Sequence, residues 1–336
     1  MSEQQIVKIG KEQKTPLLDI QGLKKYFPVK GPLGNLGGKK GMVKAVNNVS
    51  FQLFEGETYG LVGESGCGKS TTGRTILRLI EPTEGKAMYK NKDLFQLSGK
   101  ESRKMRQELQ MVFQDPYSSL NPRKRIGQSL EEPLAIHQIG NKRDRTDLVM
   151  DVLEKVGMRI DHYYRYPHEL SGGQRQRIGL ARALIVNPKI IIADEPVSAL
   201  DVSIQSQVIN LLQELQEEMK LTYLFIAHDI SVVRHISDRI GVMYLGNLVE
   251  EARTDELIES ALHPYTQALL SAVPLPNPKM KKERVVLKGE LPSPLHPPSG
   301  CVFHTRCPFA MDVCKQKVPV MEARSKDHQV ACHLYE

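Results

Sequence analysis

The 336-residue chain contains no apolar run long enough to cross a membrane. A membrane-spanning helix needs roughly 18 apolar residues, whereas "KIIIAD" and "YLFIAH" have only the length of buried strands. The opening segment "MSEQQIVKIGKEQK" is polar and lacks the apolar core of a secretory signal. We therefore expect the chain to stay in the cytosol.

Cysteine is also scarce, because Cys67 is the only one before residue 299. The other four lie close together near the end of the chain: Cys301, Cys307, Cys314 and Cys332. Thiols stay reduced in the cytosol, so a disulfide framework is the poor interpretation of this spacing.

Four thiolates can instead bind structural zinc or hold an iron–sulfur cluster. The C-x2–4-C knuckles of zinc sites are absent from this segment, and so is the common ferredoxin spacing. His304, His328 and His333 are nearby alternative ligands. The residues alone therefore leave zinc, a cluster or no metal open.

The chain lacks a concentrated block of charge, although its net charge is +7. Its basic residues are spread out, without the interleaved aromatic residues of a nucleic-acid-binding ladder. The charge permits an anionic partner, but its spread favours a solvated surface over a nucleic-acid patch. No repeat at solenoid periods is evident.

Strands and helices alternate along most of the chain. Short strands "LLDIQGL" and "VKAVNNVSFQL" come first, and the buried strand "TYGLVGE" then runs through glycines into the helix "KSTTGRTILRLI". The segment "RTDLVMDVLEKVGM" has helical apolar spacing, and strands "KIIIAD" and "LTYLFIAH" follow with a helix between them. This order predicts a mainly parallel α/β sheet whose ligand lies beyond the C-terminal ends of the strands.

Composition divides the chain near residue 260. We expect one domain over residues 15–260, in which residues from about 85 to 161 form mainly an insertion of loops and helices. Between Pro274 and Pro298 lie seven prolines, which predict a linker or an extended arm rather than a helix or central strand. Residues 261–336 then comprise this arm and a cysteine-bearing extension.

The stretch "GESGCGKST" matches the phosphate-loop pattern G-x-x-x-x-G-K-[ST], and it lies between a predicted strand and a predicted helix. Its residues are Gly63, Glu64, Ser65, Gly66, Cys67, Gly68, Lys69, Ser70 and Thr71. Glycines let backbone N–H groups turn toward phosphate oxygens, and the helix N-terminus adds its dipole. Lys69 would bridge the β- and γ-phosphates and the Ser70 hydroxyl would ligate Mg²⁺, so we predict a nucleoside triphosphate site. We interpret Cys67 as a small filler residue within it.

An apolar strand in "IIIADEP" ends at Asp194 and Glu195. The first carboxylate can hold Mg²⁺ through water, and the second can orient or deprotonate an attacking water. Two acids at the end of a strand are common, so this interpretation depends on the phosphate loop upstream.

A second anion-binding arrangement occurs in "LSGGQRQR", where a serine and two glycines precede a predicted helix. Its donors are the Ser171 hydroxyl and the amides of Gly172 and Gly173, followed by Gln174. With this second stretch the chain, over about residues 17–250, resembles the nucleotide-binding subunit of ATP-binding-cassette (ABC) transporters. The other motifs of that family are "MVFQDP" with Gln114, "SALD" at residues 198–201 and "IAHD" with His228.

The resemblance implies a P-loop NTPase fold: a RecA-like core with an antiparallel β subdomain and a helical subdomain at about 115–180. It also implies that two subunits meet head to tail, so that Ser171 and Gly173 serve the nucleotide held by the partner. Glu195 would be the base for water attack, His228 would contact the γ-phosphate, and Gln114 would touch Mg²⁺ or the water. Phe27 is the expected adenine-stacking residue, although an ordinary core aromatic is an alternative.

Three longer stretches are more discriminating: "RYPHELSGGQRQRIGLARAL", "HPYTQALLSAVP" and "GELPSPLHPPSGCVFHTRC". They resemble the ATPase subunits of bacterial dipeptide and oligopeptide importers, particularly the dipeptide type. The resemblance implies a heterodimer with a second ATPase, two transmembrane permease subunits, an extracytoplasmic peptide-binding protein and a peripheral position on the cytoplasmic face of the membrane. It also implies a [4Fe-4S] cluster on Cys301, Cys307, Cys314 and Cys332.

Three alternatives remain at this stage. Relatives with similar tails serve nickel, other metal chelates or glycosides, and this subunit would not touch the cargo. An ABC exporter would need a different segment at 263–307. A soluble ABC ATPase of DNA repair or ribosomes is disfavoured, since such proteins usually carry two cassettes or a long coiled coil, and no sustained heptads are present here.

Overall fold

The computed structural model describes residues 15–29, 41–115, 119–273, 285, 287 and 289–336. Its strands are β1 Leu18–Val29, β2 Gly41–Leu53, β3 Thr58–Val62, β4 Glu84–Tyr89, β5 Lys92–Asp93, β6 Leu109–Val112, β7 Ile190–Asp194, β8 Thr222–Ala227, β9 Arg239–Tyr244, β10 Asn247–Arg253, β11 Glu322–Ala323 and β12 Gln329–Val330. The helices in the described ranges are α1 Lys69–Ile76, α2 Gly99–Glu108, α3 Ile126–Ile136, α4 Lys142–Lys155, α5 Gly172–Leu184, α6 Val202–Met219, α7 Ile230–Ile236, α8 Thr254–Ser260, α9 Pro264–Ser271 and α10 Asp312–Gln316. Short 3-10 turns cover Leu94–Gln96, Ile160–Tyr164, Pro167–Glu169 and His333–Tyr335.

Two sheets organise the described part of the chain. The main sheet has the order β11-β12-β10-β9-β3-β8-β7-β6, and its strands from β9 to β6 run parallel. The second sheet is antiparallel, with the order β2-β1-β4-β5. Because β3, β7 and β8 are apolar on both faces, they are buried along their whole length, as expected for parallel strands covered on two sides. Their C-terminal ends meet at one edge.

The expectation for residues 85–161 is only partly correct. Helices α3 and α4 lie in the later part, but β4 pairs with β1 and β6 joins the edge of the main sheet. The β4 sequence "EGKAMY" begins with exposed charged residues and a glycine, which obscure its strand periodicity. The β6 strand follows α2 with no turn residue between them, so no sequence signal separates the two.

A helical layer is formed by α3, α4 and α5. Buried apolar side chains hold these helices together: Leu130, Leu134, Val149, Leu153 and Ile178. Helix α4 begins at the N-cap Asn141, whose side chain accepts the N–H groups of Arg143 and Asp144. The predicted boundary of a helical subdomain at 115–180 stays a prediction.

None of the described helices is long and apolar enough to span a membrane.

The cysteine-bearing extension packs against the main sheet. Strand β12 pairs with β10, with Val330 opposite Glu250, and so continues the sheet. The buried ring of Phe303 meets Tyr244 of β9 edge-on and packs at a tilt against Tyr265 of α9. Most of the predicted proline-rich arm (274–284, 286 and 288) lies outside the described residues, while residues 289–298 contain no helix or strand.

Glu250 connects β10 to both the start of α9 and the extension. Its carboxylate is fully buried and accepts the backbone N–H groups of Leu262 and His263, at 2.6 and 3.1 Å. The Nε2 atom of His328 lies 2.7 Å from the same carboxylate. Burial is the largest single influence on His328 and lowers its pKa, but the hydrogen bonds and negative charges of Glu250 and Glu256 together outweigh burial and raise this pKa. One carboxylate thus joins three parts of the chain.

His263 caps α9 by accepting the N–H of Tyr265. Because this buried side chain can titrate, we expect the stability of the protein to depend on pH. Burial lowers its pKa to about 4, although the charge of Glu250 opposes this. Since an unfolded histidine titrates near 6.5, the stabilisation is present above that pH and is lost as the pH falls toward 4. Linkage puts the loss between pH 7 and pH 5 at roughly 2 kcal/mol.

A His263→Asn variant keeps a capping acceptor but does not titrate. Denaturant unfolding at pH 7 and pH 5 is therefore expected to show a smaller loss in the variant than in the wild type. An equal loss in both proteins would contradict this role of His263.

Candidate nucleotide site

The phosphate loop connects β3 to α1, as the sequence predicts. Gly63, Gly66 and Gly68 all have positive φ angles, of 152°, 79° and 108°. A Cβ atom on Gly68 would lie 2.0 Å from the carbonyl oxygen of Ala45, and one on Gly63 would lie 2.1 Å from that of Met243. Glycine is therefore needed at both positions, because the loop packs closely against the backbone of Ala45 and Met243.

Lys69 begins α1 and lies at the centre of the loop. Its side chain is buried, and its ammonium donates to the carbonyl oxygens of Gly63 and Glu64 at 2.8 and 3.1 Å. These bonds hold the charge inside the ring of backbone groups, where it can meet a phosphate. Cys67 is also buried, and burial raises the pKa of its thiol, although Lys69 opposes this.

Ser70 and Asp194 form an oxygen-rich pair beside the loop. The Ser70 hydroxyl donates to Asp194 at 2.6 Å, and Arg74, one helical turn further on, donates to the other carboxylate oxygen at 3.3 Å. Burial raises the pKa of Asp194, while Ser70 and Arg74 oppose that rise. A hydroxyl and a carboxylate are the hard ligands that Mg²⁺ prefers, so this pair fits a Mg²⁺ site.

Glu195, Gln114 and His228 converge on one point. The Nε2 atom of Gln114 donates to Oε2 of Glu195 at 2.8 Å, and Nδ1 of His228 lies 3.4 Å from the same oxygen. Glu195 has a left-handed φ of 47°, and its N–H donates to the carbonyl of Ile226 on β8. A non-glycine residue in this region costs about 1–3 kcal/mol, and here the strained backbone aims the carboxylate at the cleft.

A cleft of about 410 Å³ brings these groups together at the C-terminal ends of the parallel strands. Its lining residues are Ala45, Ser65, Gly66, Gly68, Lys69, Ser70, Thr71, Gln114, Glu195 and His228. Phe27 does not line this cleft. It lies on β1 opposite Val43, half-buried, with the ammonium of Lys25 at 4.8 Å from its ring centre. Its stacking on adenine stays a prediction.

The second anion-binding motif lies elsewhere on this chain. Ser171 caps α5: its hydroxyl accepts the N–H of Gln174 at 3.3 Å, and the Gln174 side chain accepts the N–H of Ser171 at 3.0 Å. Ser171 and Gly172 are exposed, and a Cβ on Gly173 would lie 2.8 Å from Ile204. None of the residues from Ser171 to Gln174 lines the cleft described above. Within one subunit the two predicted halves of the site are therefore separate.

The four cysteines of the extension are free thiols and neighbours. Burial raises the pKa of Cys301 to about 11, and the nearby thiols of Cys314, Cys332 and Cys307 add to this rise. In the described ranges, however, no group of three or more His, Cys, Asp or Glu side chains is arranged to hold a metal ion. The structure thus gives the predicted iron–sulfur cluster no support beyond this proximity.

The predicted alternative histidine ligands have other partners. Nδ1 of His304 lies 2.9 Å from the carbonyl oxygen of Cys301, and Nε2 of His333 lies 2.8 Å from that of Lys317. His328 contacts Glu250, as described above.

Sequence reasoning missed three residues that contact the phosphate loop or the Ser70–Asp194 pair. Arg74 lies four residues after Ser70, so helical spacing was a usable signal. Tyr265 and Arg306 both contact Glu64, yet they are 201 and 242 residues away from it, and no local pattern reveals such pairs.

Comparison with known families agrees with this geometry. Residues 46–198 match the family described as "ABC transporter". Residues 249–314 match the family described as "Oligopeptide/dipeptide transporter, C-terminal region". This matched range includes three of the four clustered cysteines.

Curated relatives are similar over almost their whole length. An oligopeptide transport ATP-binding protein of Bacillus subtilis (strain 168) is 58% identical over 95% of this chain and 97% of its own. The corresponding oligopeptide protein of Salmonella typhimurium is 52% identical, and a dipeptide transport ATP-binding protein of Haemophilus influenzae is 49% identical, each over 96% of this chain and 97% of its own.

Solved structures support the same fold. A dimeric ATP-binding cassette in a post-hydrolysis state, bound to ADP and phosphate, has a TM-score of 0.62 and 31% identity over 70% of this chain and 98% of its own. A dimeric bacterial ABC transporter cassette has a TM-score of 0.61 and 30% identity over the same shares. The predicted α/β cassette fold is therefore confirmed, and the chain belongs to the ABC transporter ATP-binding proteins of the oligopeptide/dipeptide family.

Proposed function

We propose that this chain hydrolyses ATP to energise the import of dipeptides or oligopeptides through a membrane ABC transporter. The observation that carries the proposal is the convergence of Gln114, Glu195 and His228 beside the phosphate loop and the Ser70–Asp194 pair. The separate position of Ser171 supports a site completed by a second, head-to-tail subunit. The dimeric arrangement of two cassettes of similar structure supports the same assembly.

In this mechanism the loop amides and Lys69 hold the triphosphate. Ser70 and Asp194 would hold Mg²⁺, which would supply positive charge against the phosphates. Glu195 accepts the proton of the attacking water, and Gln114 and His228 fix the direction of its carboxylate. The partner's signature serine and glycines close the other side and exclude bulk water.

Peptide cargo is supported by the names of the relatives and by the matched C-terminal family. The cargo would pass through two permease subunits after delivery by an extracytoplasmic binding protein, and this chain would work with a second, distinct ATPase on the cytoplasmic face of the membrane. A related importer for nickel, other metal chelates or glycosides is the alternative, and no nucleic-acid partner is proposed.

A groove beside Gln114 is a suitable dock for a permease helix. It is lined in part by Leu77 after α1, by Phe113 after β6, and by Pro133 and Arg182 of the helical layer. Since Phe113 directly precedes Gln114, a helix seated there would move the side chain that contacts Glu195. This contact would couple the membrane subunits to hydrolysis.

We also propose a [4Fe-4S] cluster at the four cysteines, on the basis of the resemblance and of the mutual proximity of the thiols. The cluster would hold the extension folded rather than take part in hydrolysis, which needs no redox step. Anaerobically purified protein is expected to contain iron and labile sulfide in equal amounts. Zinc without iron would contradict the cluster.

The experiment that tests the proposed cargo is uptake by cells that lack this chain. We expect loss of labelled di- or oligopeptide uptake, restored by the wild-type chain but not by Glu195→Gln. Nickel and glycoside uptake, measured in the same cells, are expected to stay unchanged. Undiminished peptide uptake would refute the proposed cargo.

A further inference from the structure

The carboxylate of Glu64, inside the phosphate loop, is held by a residue of the extension. Nη1 of Arg306 donates to both carboxylate oxygens, at 2.9 and 3.2 Å. The Arg306 side chain is only 10% exposed and that of Glu64 is 27% exposed, so the pair is partly shielded from water. Such a charge-assisted pair is stronger than an exposed surface pair.

The backbone of Glu64 is held by the same part of the molecule. Its N–H donates to the hydroxyl of Tyr265 at 2.8 Å. Tyr265 has no solvent exposure and packs against the rings of Tyr244 and Phe303, so its hydroxyl has a fixed position. Two independent contacts therefore fix one residue at the start of the phosphate loop.

The charge of Glu64 explains why such a contact matters. The loop must accept a highly negative triphosphate, and an unpaired carboxylate within it would repel that ligand. Arg306 neutralises the carboxylate and holds it toward the extension. We propose that Arg306 is a positioning residue for ATP, through which the cysteine-bearing extension sets the affinity of the phosphate loop.

The position of Arg306 also connects the loop to the thiol cluster. Arg306 directly precedes Cys307, and Phe303, which packs on Tyr265, lies between Cys301 and Arg306. A change in the packing of the cysteine segment therefore reaches Glu64 through the guanidinium and through the tyrosine hydroxyl. This inference rests on ATP binding by the chain and is independent of the cargo.

The test is equilibrium binding of a fluorescent ATP analogue with Mg²⁺ to the purified full-length chain. Arg306→Gln is expected to weaken binding about tenfold, because the carboxylate is left unpaired in the loop. The double variant Arg306→Gln/Glu64→Gln is expected to regain most of that affinity, since the repelling charge is gone. In steady-state assays Arg306→Gln should raise KM for ATP and leave kcat within about twofold, since Glu195 is untouched.

Two control variants separate positioning from general destabilisation. Arg324→Gln removes another arginine of the extension, whose partner Glu322 belongs to the extension itself, and should leave the affinity unchanged. Arg306→Lys keeps the charge and should bind within about threefold of wild type, even if the glutamine variant folds poorly. Unchanged affinity in Arg306→Gln, or no recovery in the double variant, would overturn the proposal. This assay does not measure peptide uptake, so the inference about Arg306 can fail while the proposed function holds.

Discussion

Replacing Glu195 by glutamine is expected to lower the ATP hydrolysis rate of the purified protein by at least about a hundredfold, because the amide cannot accept a proton from water. The substitution keeps the size of the side chain and the oxygen that Gln114 can donate to. It also leaves the phosphate loop and the Ser70–Asp194 pair intact, so the affinity for ATP should be retained. Steady-state phosphate release and nucleotide binding, measured on the same preparation, separate the two effects.

A matched control is available on helix α6. Glu217 is exposed there and does not line the cleft, so Glu217→Gln should hydrolyse ATP at the wild-type rate. If Glu195→Gln also kept the wild-type rate, the assignment of the catalytic base would be wrong.

Truncating Glu250 to alanine is expected to cause the largest loss of stability among the variants discussed. The two N–H groups of Leu262 and His263 and the ring of His328 would all lose their buried partner. Each unsatisfied buried group costs about 1–3 kcal/mol, so the loss of all three contacts is expected to lower the free energy of unfolding by at least about 3 kcal/mol. Denaturant unfolding measures this loss, and limited proteolysis should show earlier cleavage within residues 261–336.

Two variants calibrate that measurement. Glu250→Gln keeps an acceptor oxygen and should lose less stability than Glu250→Ala. Glu259→Ala removes an exposed carboxylate of the adjacent helix α8 and should change the free energy of unfolding by no more than about 0.5 kcal/mol. Equal effects of Glu250→Ala and Glu259→Ala would contradict the connecting role of Glu250.

The core of the site was predictable because its chemistry is local in sequence. The phosphate loop needs glycines with positive φ between a strand and a helix, and "GESGCGKST" carries them at Gly63, Gly66 and Gly68. Asp194 and Glu195 follow a strand of continuous apolar residues, which predicts a buried parallel strand and places both acids at its C-terminal end. The family order of motifs then supplied Gln114 and His228, whose positions no local pattern would have connected to Glu195.

Other features depend on contacts between distant segments. The strands β11 and β12 are only two residues long and join the main sheet through β10, so their sequences carry no strand signal. The pairing of Arg306 with Glu64 spans 242 residues and is set by the packing of Phe303 against Tyr265. Such pairs follow from the tertiary fold. The sequence offers many oppositely charged residues that could pair with a loop carboxylate, and the fold brings one of them, Arg306, into contact with Glu64.

The most direct test of the account is transport in liposomes that contain this chain, its partner ATPase and the two membrane subunits, supplied with the binding protein and labelled peptide. The account predicts peptide movement that depends on ATP and is lost when this chain carries Glu195→Gln. Peptide movement that Glu195→Gln leaves unchanged, or steady ATP hydrolysis without any peptide movement, would contradict it.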